Sequence, residues 1–338
     1  MESIKKILAV VLAILFVLTA IVALIFFNIE RRAFKAETYQ RVLANGDFYN
    51  RIPTVMAEAL VSSSTDLQDL PPAMQGMSTK AWEDFFRTLL PQDALKLLGD
   101  DVLTSTFDYF NMKSDSVTIS LLPVKANMAT ESGVQAVLTL LRTQPDCTLE
   151  QVAQITFNLL TAQEIAFCNP PDEIAPLFIP VIQMQLQSAA LVIPDEVTLI
   201  SVENTDPDPR ARIQTARILM KLSPLLPIGF LLLLTLTIVH SLQSWLTWWG
   251  IPFLSTGLAA MLTGIAGAPL LGAILKLVIT RRVPGILPTS LSSYVSDLAS
   301  VMVGAILRPI FWEGLLLFFV GFGMVGVSYY LKYKKSAE

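Results

Sequence analysis

Few residues of this chain have the types and spacing that catalysis requires. His240 is the only histidine, which excludes a histidine-based triad and an HExxH zinc site in the polar part of the sequence. Lys276 could act as the base of a serine–lysine dyad, or it could extend its amine toward a membrane surface. The sequence lacks a phosphate-binding loop and a dinucleotide-binding glycine pattern. We therefore predict a protein that is not an enzyme and has no cofactor and no metal site.

Glu313 is the most unusual ionisable residue, because it lies near the start of an apolar segment. Burying a carboxylate in a membrane is costly, so such a residue is a candidate functional site. The alternative is an interfacial ion pair with Arg308, or with Arg281 or Arg282. Only the spatial arrangement of these side chains distinguishes the two interpretations.

Cys147 and Cys168 are the only cysteines, and they lie 21 positions apart. A disulfide between them would stabilise the fold by about 3 kcal/mol in the loop-entropy model, and it would persist only in an oxidising compartment. Two buried thiols are the alternative. Prolines stiffen the stretches around both cysteines, which indicates two turns tied together or, in a rival interpretation, a loop that binds a partner.

Four long apolar segments must position these residues. They cover residues 7–27, 224–244, 251–279 and 310–331. About 20 apolar residues suffice for a helix to cross roughly 30 Å of hydrocarbon, and a mean hydropathy of +0.57 is typical of a membrane protein. The first segment is longer than the apolar region of a cleavable signal peptide and lacks a small-x-small site after it. We interpret it as a retained signal anchor.

Small residues recur every four positions in the third segment, at Ala260, Gly264, Ala268 and Gly272. One face of a helix carries them, so a second helix can approach that face closely. Residues 290–308 have the spacing of an amphipathic helix. Pro309 predicts a break between that helix and the fourth segment.

Four crossings place both termini on one side of the membrane and residues 28–221 on the other. Lysines flank the terminal side, in the tails 1–6 and 332–338, which favours a cytoplasmic location for both tails. The arginines near the span ends on the other side favour the reverse, but the rule weakens for long translocated segments. We expect a multi-pass cell-membrane protein with cytoplasmic termini and a large extracytoplasmic domain.

The domain sequence predicts a mainly α fold with a small two-stranded β element. Apolar residues recur at helical spacing in residues 33–44, 48–62, 80–90, 93–110, 133–141, 148–160 and 176–190. The sixth of these helices begins with Thr148 and Gln151 at the spacing of a capping box. Residues 115–121 and 195–199 share the form Asp-x-Val-Thr and predict strands, which either pair with each other or record an internal duplication.

Tyr109, Lys125, the strand at residues 116–121 and the stretches Pro-Asp-Cys-Thr and Cys-Asn-Pro-Pro accompany this layout. In these features the chain resembles uncharacterised bacterial multi-pass membrane proteins, a resemblance that implies no activity. One span, a large domain and three further spans are also similar in topology to permeases of the MacB and FtsX type, which work with a separate ATPase. The short segment before the first span and the mainly α domain depart from that pattern.

We expect a non-enzymatic binding or scaffolding protein. Its partners are the lipid bilayer and either a second copy of the chain or another subunit of a membrane complex. The net charge of −4 and the scattered basic residues give no nucleic-acid footprint. The alternative is a permease or accessory subunit of a transport complex that works with a separate ATPase.

Overall fold

The computed structural model describes residues 2–62, 77–148, 150–152, 168–171, 173–202, 208–282 and 289–337. These residues form a mainly helical protein with one two-stranded sheet. The helices are α1 (Glu2–Ala33), α2 (Ala36–Asn45), α3 (Phe48–Ser62), α4 (Thr79–Leu89), α5 (Gln92–Phe110), α6 (Leu122–Ala129), α7 (Glu131–Leu141), α8 (Ala175–Val192), α9 (Pro209–Leu222), α10 (Leu225–Ile238), α11 (Leu242–Arg282) and α12 (Thr289–Ala337). The strands are β1 (Ser116–Ser120) and β2 (Glu196–Ser201).

Five segments of the described chain are long and apolar enough to cross a membrane, which is consistent with a membrane protein. Four of them overlap the apolar segments found in the sequence: Ile4–Ala33, Arg210–Ile238, Leu242–Ile274 and Ser293–Lys334. The fifth is Ala175–Val192, which is α8. The sequence assigns this helix to the domain.

Helices α1, α10, α11 and α12 form a bundle. Phe16 and Ala20 of α1 pack against Leu231 of α10, and α11 packs along α12 as an antiparallel hairpin. Glycine makes this close approach possible: a Cβ atom at Gly257 would lie 2.4 Å from the backbone nitrogen of Phe318. Real Cβ atoms do not approach a backbone atom so closely, so any larger residue here must push the helices apart.

Two helix boundaries differ from the sequence prediction. Helix α12 continues through Pro309 without a break, because a neighbouring helix and local adjustments can satisfy the carbonyl group that a proline leaves free in an apolar helix. Helix α11 begins at Leu242, before the apolar segment at residues 251–279, so Trp245, Trp248 and Trp249 lie within its first turns.

The domain has its main core between α3, α4 and α7, where Ala57, Trp82 and Leu140 pack together. The two predicted strands are present and pair with each other in antiparallel register, from Ser116 opposite Ser201 to Ser120 opposite Glu196. Helix α5 packs against β1. The paired strands therefore join the start and the end of the segment that contains α6, α7 and α8.

The helix expected at residues 148–160 lies mostly outside the described residues. Residues 148 and 150–152 of its first turn are described, and they include the predicted capping box. The backbone nitrogen of Gln151 donates to Oγ1 of Thr148 at 3.2 Å, and the backbone nitrogen of Thr148 donates to Oε1 of Gln151 at 2.9 Å. Helices α6 and α9 were not predicted. The first is short and has a proline at its second position, and the second begins at a proline.

Candidate functional site

The domain is fixed to the bundle by a buried ion pair at the end of α1. Arg217 of α9 donates to Glu30 at 3.2 Å and to Oδ1 of Asn111 at 2.5 Å. Its guanidinium carbon lies 4.7 Å from the centroid of the Phe34 ring, and Nζ of Lys221 lies 3.4 Å from the same Glu30 carboxylate. The side chains of Glu30 and Arg217 are only 11% and 14% exposed. Solvent therefore screens their attraction little, and three segments distant in sequence meet here.

Arg210 fixes the start of α9 on the domain in a similar way. Its side chain is 6% exposed and pairs with Asp208 at 2.9 Å and Asp115 at 3.0 Å. The guanidinium carbon lies 4.7 Å from the ring centroid of Tyr109, at the distance of a cation–π contact. It also donates to the carbonyl of Ser114 at 2.7 Å. The beginning of α9 is thereby held next to β1.

A second joint connects the domain to the first half of α12. Arg51 of α3 pairs with Asp297 at 3.1 Å, and its guanidinium carbon lies 5.3 Å from the centroid of the Tyr294 ring. The Tyr294 ring meets Phe48 edge to face, with centroids 5.6 Å apart. This joint is more exposed than the first. Together the two joints hold the domain against both α1 and α12.

Glu313 contacts a buried amide of the first helix rather than an arginine. Nδ2 of Asn28 donates to Oε2 of Glu313 at 2.7 Å, and Asn28 is only 1% exposed. Arg308 makes no ion pair within the described residues, and the side chains of Arg281 and Arg282 lie outside them. The contact links α1 to α12 at the depth where the apolar run of α1 ends.

On the domain side of this contact, a cleft of about 570 Å³ lies between α2 and the α11–α12 hairpin. We call it the arginine cleft. Its walls include three arginines, from the end of α1, from α2 and from α12, together with small residues of the hairpin: Arg32, Arg41, Arg308, Gly264, Ala268 and Gly304. Because these hairpin residues are small, space remains where larger side chains would fill the gap.

The arginines of the cleft are poorly partnered. Nε of Arg32 is buried and has no hydrogen-bond partner in the described chain. Nε of Arg41 donates to the backbone carbonyl of Glu37 at 3.1 Å. In the part of the chain that the structure describes, neither these two residues nor Arg308 form an ion pair. The cleft therefore carries positive charge that no described carboxylate neutralises.

The small-residue stripe found in the sequence lies against α12, and its middle also lines the cleft. Ala260 is fully buried, and a Cβ atom at Gly264 would lie 2.6 Å from the backbone nitrogen of Phe311. Further along, a Cβ atom at Gly272 would lie 3.2 Å from Cβ of Ser300. The stripe serves helix packing at Ala260 and Gly264, and it opens toward the cleft at Ala268.

Two other candidates from the sequence lie apart from the cleft lining. His240 is exposed, in the short break between α10 and α11. Lys276 belongs to α11, but its side chain is outside the described part. Among the described residues, no group of three His, Cys, Asp or Glu side chains is placed to hold a metal ion.

Cys147 and Cys168 lie at disulfide distance, with their sulfurs 1.98 Å apart. The two turns are also hydrogen-bonded: the backbone nitrogen of Cys147 donates to the carbonyl of Asn169 at 2.9 Å, and Nδ2 of Asn169 donates to Asp146 at 2.8 Å. Phe178 of α8 packs against this pair. The prolines and cysteines noted in the sequence thus belong to one tied pair of turns.

Sequence reasoning missed two arginines of the cleft and the amide that meets Glu313. Asn28 is the first polar residue after the apolar run of α1. A polar residue at that position is the signal from which a partner of Glu313 could have been predicted. Nothing in sequence spacing relates Arg32 and Arg41 to Arg308, because the packing of α1 and α2 on the hairpin brings them together.

Comparison of the chain with protein-family models, with curated proteins and with solved structures finds no match. The site must therefore be interpreted from its own chemistry.

Proposed function

We propose that this chain is an integral membrane protein that works by binding rather than by catalysis. Four spans anchor a helical domain outside the cytoplasm, and a ligand or partner is held where the domain meets the bundle. The observation that carries this proposal is the double joint, Glu30 with Arg217 and Arg51 with Asp297. A loosely tethered domain needs neither joint, whereas a preformed site between two units needs its walls held in fixed register.

In this proposal α8 belongs to the domain and not to the membrane. Its first turn packs on the disulfide through Phe178 and Cys168. Its end leads into β2, which pairs with β1, and along its length it packs against α6 and α7. A helix that crossed the bilayer would have to carry its two ends to opposite sides, yet the same domain holds both.

The disulfide supports an extracytoplasmic location of the domain, since such bonds persist in oxidising compartments. The lysines of the two tails support cytoplasmic termini. A direct test is the state of Cys147 and Cys168 in intact cells, trapped with an alkylating reagent before lysis and read by mass spectrometry. Recovery of the bonded pair supports the orientation. Alkylation of both thiols without prior reduction would overturn it.

The binding role is tested by purifying the tagged full chain gently from its native host and identifying the molecules that accompany it. Recovery alone, with copies of itself or with a bound small molecule supports the proposal. A nucleotide-binding subunit in fixed ratio to the chain would overturn it, because the bundle would then couple to an ATPase as a permease does.

A further inference from the structure

We propose that the arginine cleft binds the phosphate group of an anionic lipid headgroup. The inference deepens the proposed function and rests on its membrane anchoring. It uses three observations: the unpaired charge of the cleft, its height relative to the bilayer, and its size.

The charge of the cleft calls for an anion. A guanidinium that is partly buried without a counter-charge is unfavourable, because it loses hydration that nothing replaces. Arg32 is in this situation, because it is half-buried and its Nε has no acceptor in the described chain. Arg41 and Arg308 are exposed and add positive charge to the same cavity. Guanidinium groups match the oxygens of phosphate in paired, charge-assisted hydrogen bonds. An anion with several acceptor oxygens would therefore satisfy donors that the protein leaves open.

The height of the cleft favours a lipid as the source of that phosphate. Asn28 is the first polar residue after the apolar run of α1, so we place the edge of the hydrocarbon at its contact with Glu313. Arg32 lies four residues beyond Asn28, and Arg308 lies five residues before Glu313. At 1.5 Å per residue these positions are about 6–8 Å above the edge, within a headgroup layer roughly 5–8 Å deep.

The size of the cleft exceeds what a bare ion needs. Its volume of about 570 Å³ lies in the range of small-molecule sites, roughly 300–1,000 Å³. Gly264, Ala268 and Gly304 form an apolar surface beside the arginines, against which the glycerol part of a lipid can pack. Basic pockets beside membrane helices bind anionic headgroups by the same physics.

The test uses the purified full chain in neutral detergent, with unfolding followed by tryptophan fluorescence. Phosphatidylglycerol or phosphatidylcholine is titrated into the micelles. We expect phosphatidylglycerol to raise the melting temperature in a saturable manner. Phosphatidylcholine should have little effect, because its choline group adds a positive charge beside the arginines.

Arg308→Gln is the informative variant, because Arg308 is exposed and makes no described ion pair, so its replacement leaves the fold intact. We expect it to weaken phosphatidylglycerol binding about tenfold, as the loss of one charge-assisted hydrogen bond implies. Arg41→Gln should act in the same direction. The matched control is Arg31→Gln, which changes the neighbour of Arg32 outside the cleft lining and should bind as the wild type does.

Three outcomes would overturn the inference. The first is equal stabilisation by both lipids, and the second is wild-type binding by Arg308→Gln and Arg41→Gln. The third is stabilisation by inorganic phosphate at concentrations similar to those of the lipid, which would make soluble phosphate the ligand. None of these measurements depends on the state of the cysteines or on co-purifying subunits, so failure here is distinct from failure of the proposed function.

Discussion

Replacing Gly257 with alanine tests whether the α11–α12 hairpin is as tightly packed as described. The added Cβ atom would lie 2.4 Å from the backbone nitrogen of Phe318 and 2.7 Å from the carbonyl oxygen of Gly314. Ordinary contact begins near 3.4 Å, so the helices must separate locally by about 1 Å. The opposing atoms are backbone, which cannot rotate away as a flexible side chain can.

The expected cost follows from that geometry. Overpacking of this kind costs about 1–3 kcal/mol, against a gain of up to about 1 kcal/mol from the better helix propensity of alanine. Gly323→Ala is the matched control on α12, since nothing lies within 4 Å of its added Cβ atom. Gly272→Ala should fall between the two, because the nearest atom, 3.2 Å away, belongs to the side chain of Ser300.

The assay is thermal unfolding of the full chain in one detergent, with size-exclusion chromatography before and after heating. We expect Gly323→Ala to melt at or above the wild-type temperature, Gly272→Ala slightly below it and Gly257→Ala several degrees lower. Equal melting temperatures for Gly257→Ala and Gly323→Ala would refute the reasoning, because only the Cβ atom added at Gly257 meets the facing helix of the hairpin.

The remaining predictions concern the domain and the polar contact of the bundle. Burial, together with the charge of a neighbouring carboxylate, raises the pKa of Tyr49 from 10.0 to about 12. The contribution of Tyr49 to the free energy of unfolding is therefore complete below pH 10 and is lost as the pH rises toward 12. In a phenolate absorbance titration Tyr49 should ionise in a late step near pH 12, and Tyr49→Phe should remove that step. The double variant Cys147→Ser with Cys168→Ser should lower the free energy of unfolding by about 3 kcal/mol in denaturant titrations. Asn28→Leu should lower the melting temperature more than Glu313→Gln, because a glutamine still offers an oxygen to Asn28 whereas leucine leaves a carboxylate unpartnered.

Each of these expectations has a result that contradicts it. If the late step remains unchanged in Tyr49→Phe, Tyr49 is not the phenol that produces it. Equal denaturation midpoints before and after loss of both cysteines would show that the bond constrains nothing. A greater loss of stability in Glu313→Gln than in Asn28→Leu would mean that the charge of the carboxylate, rather than its hydrogen bond, matters at that depth.

Sequence reasoning predicted the features that depend on local pattern. The apolar segments, the two strands and the capping box at Thr148 all follow from the spacing of neighbouring residues. Features that depend on packing between distant segments could not be predicted from these patterns. Pro309 carries a local signal for a break, but contacts along the hairpin override it. The arginine cleft has no local signal, since Arg32 and Arg308 are 276 positions apart and come together only through the packing of α1 on α12.

The joint between Glu30 and Arg217 also bears on how the protein is made. Its partners are 187 positions apart, so Glu30 lacks this partner until nearly all of the residues between α1 and α10 have been synthesised. Strand β2, which pairs with β1, precedes Arg217 closely in the sequence, and α10 begins eight residues after Arg217. The sheet and the joint can therefore form only when synthesis of the domain is almost complete, immediately before the apolar helix α10 is made.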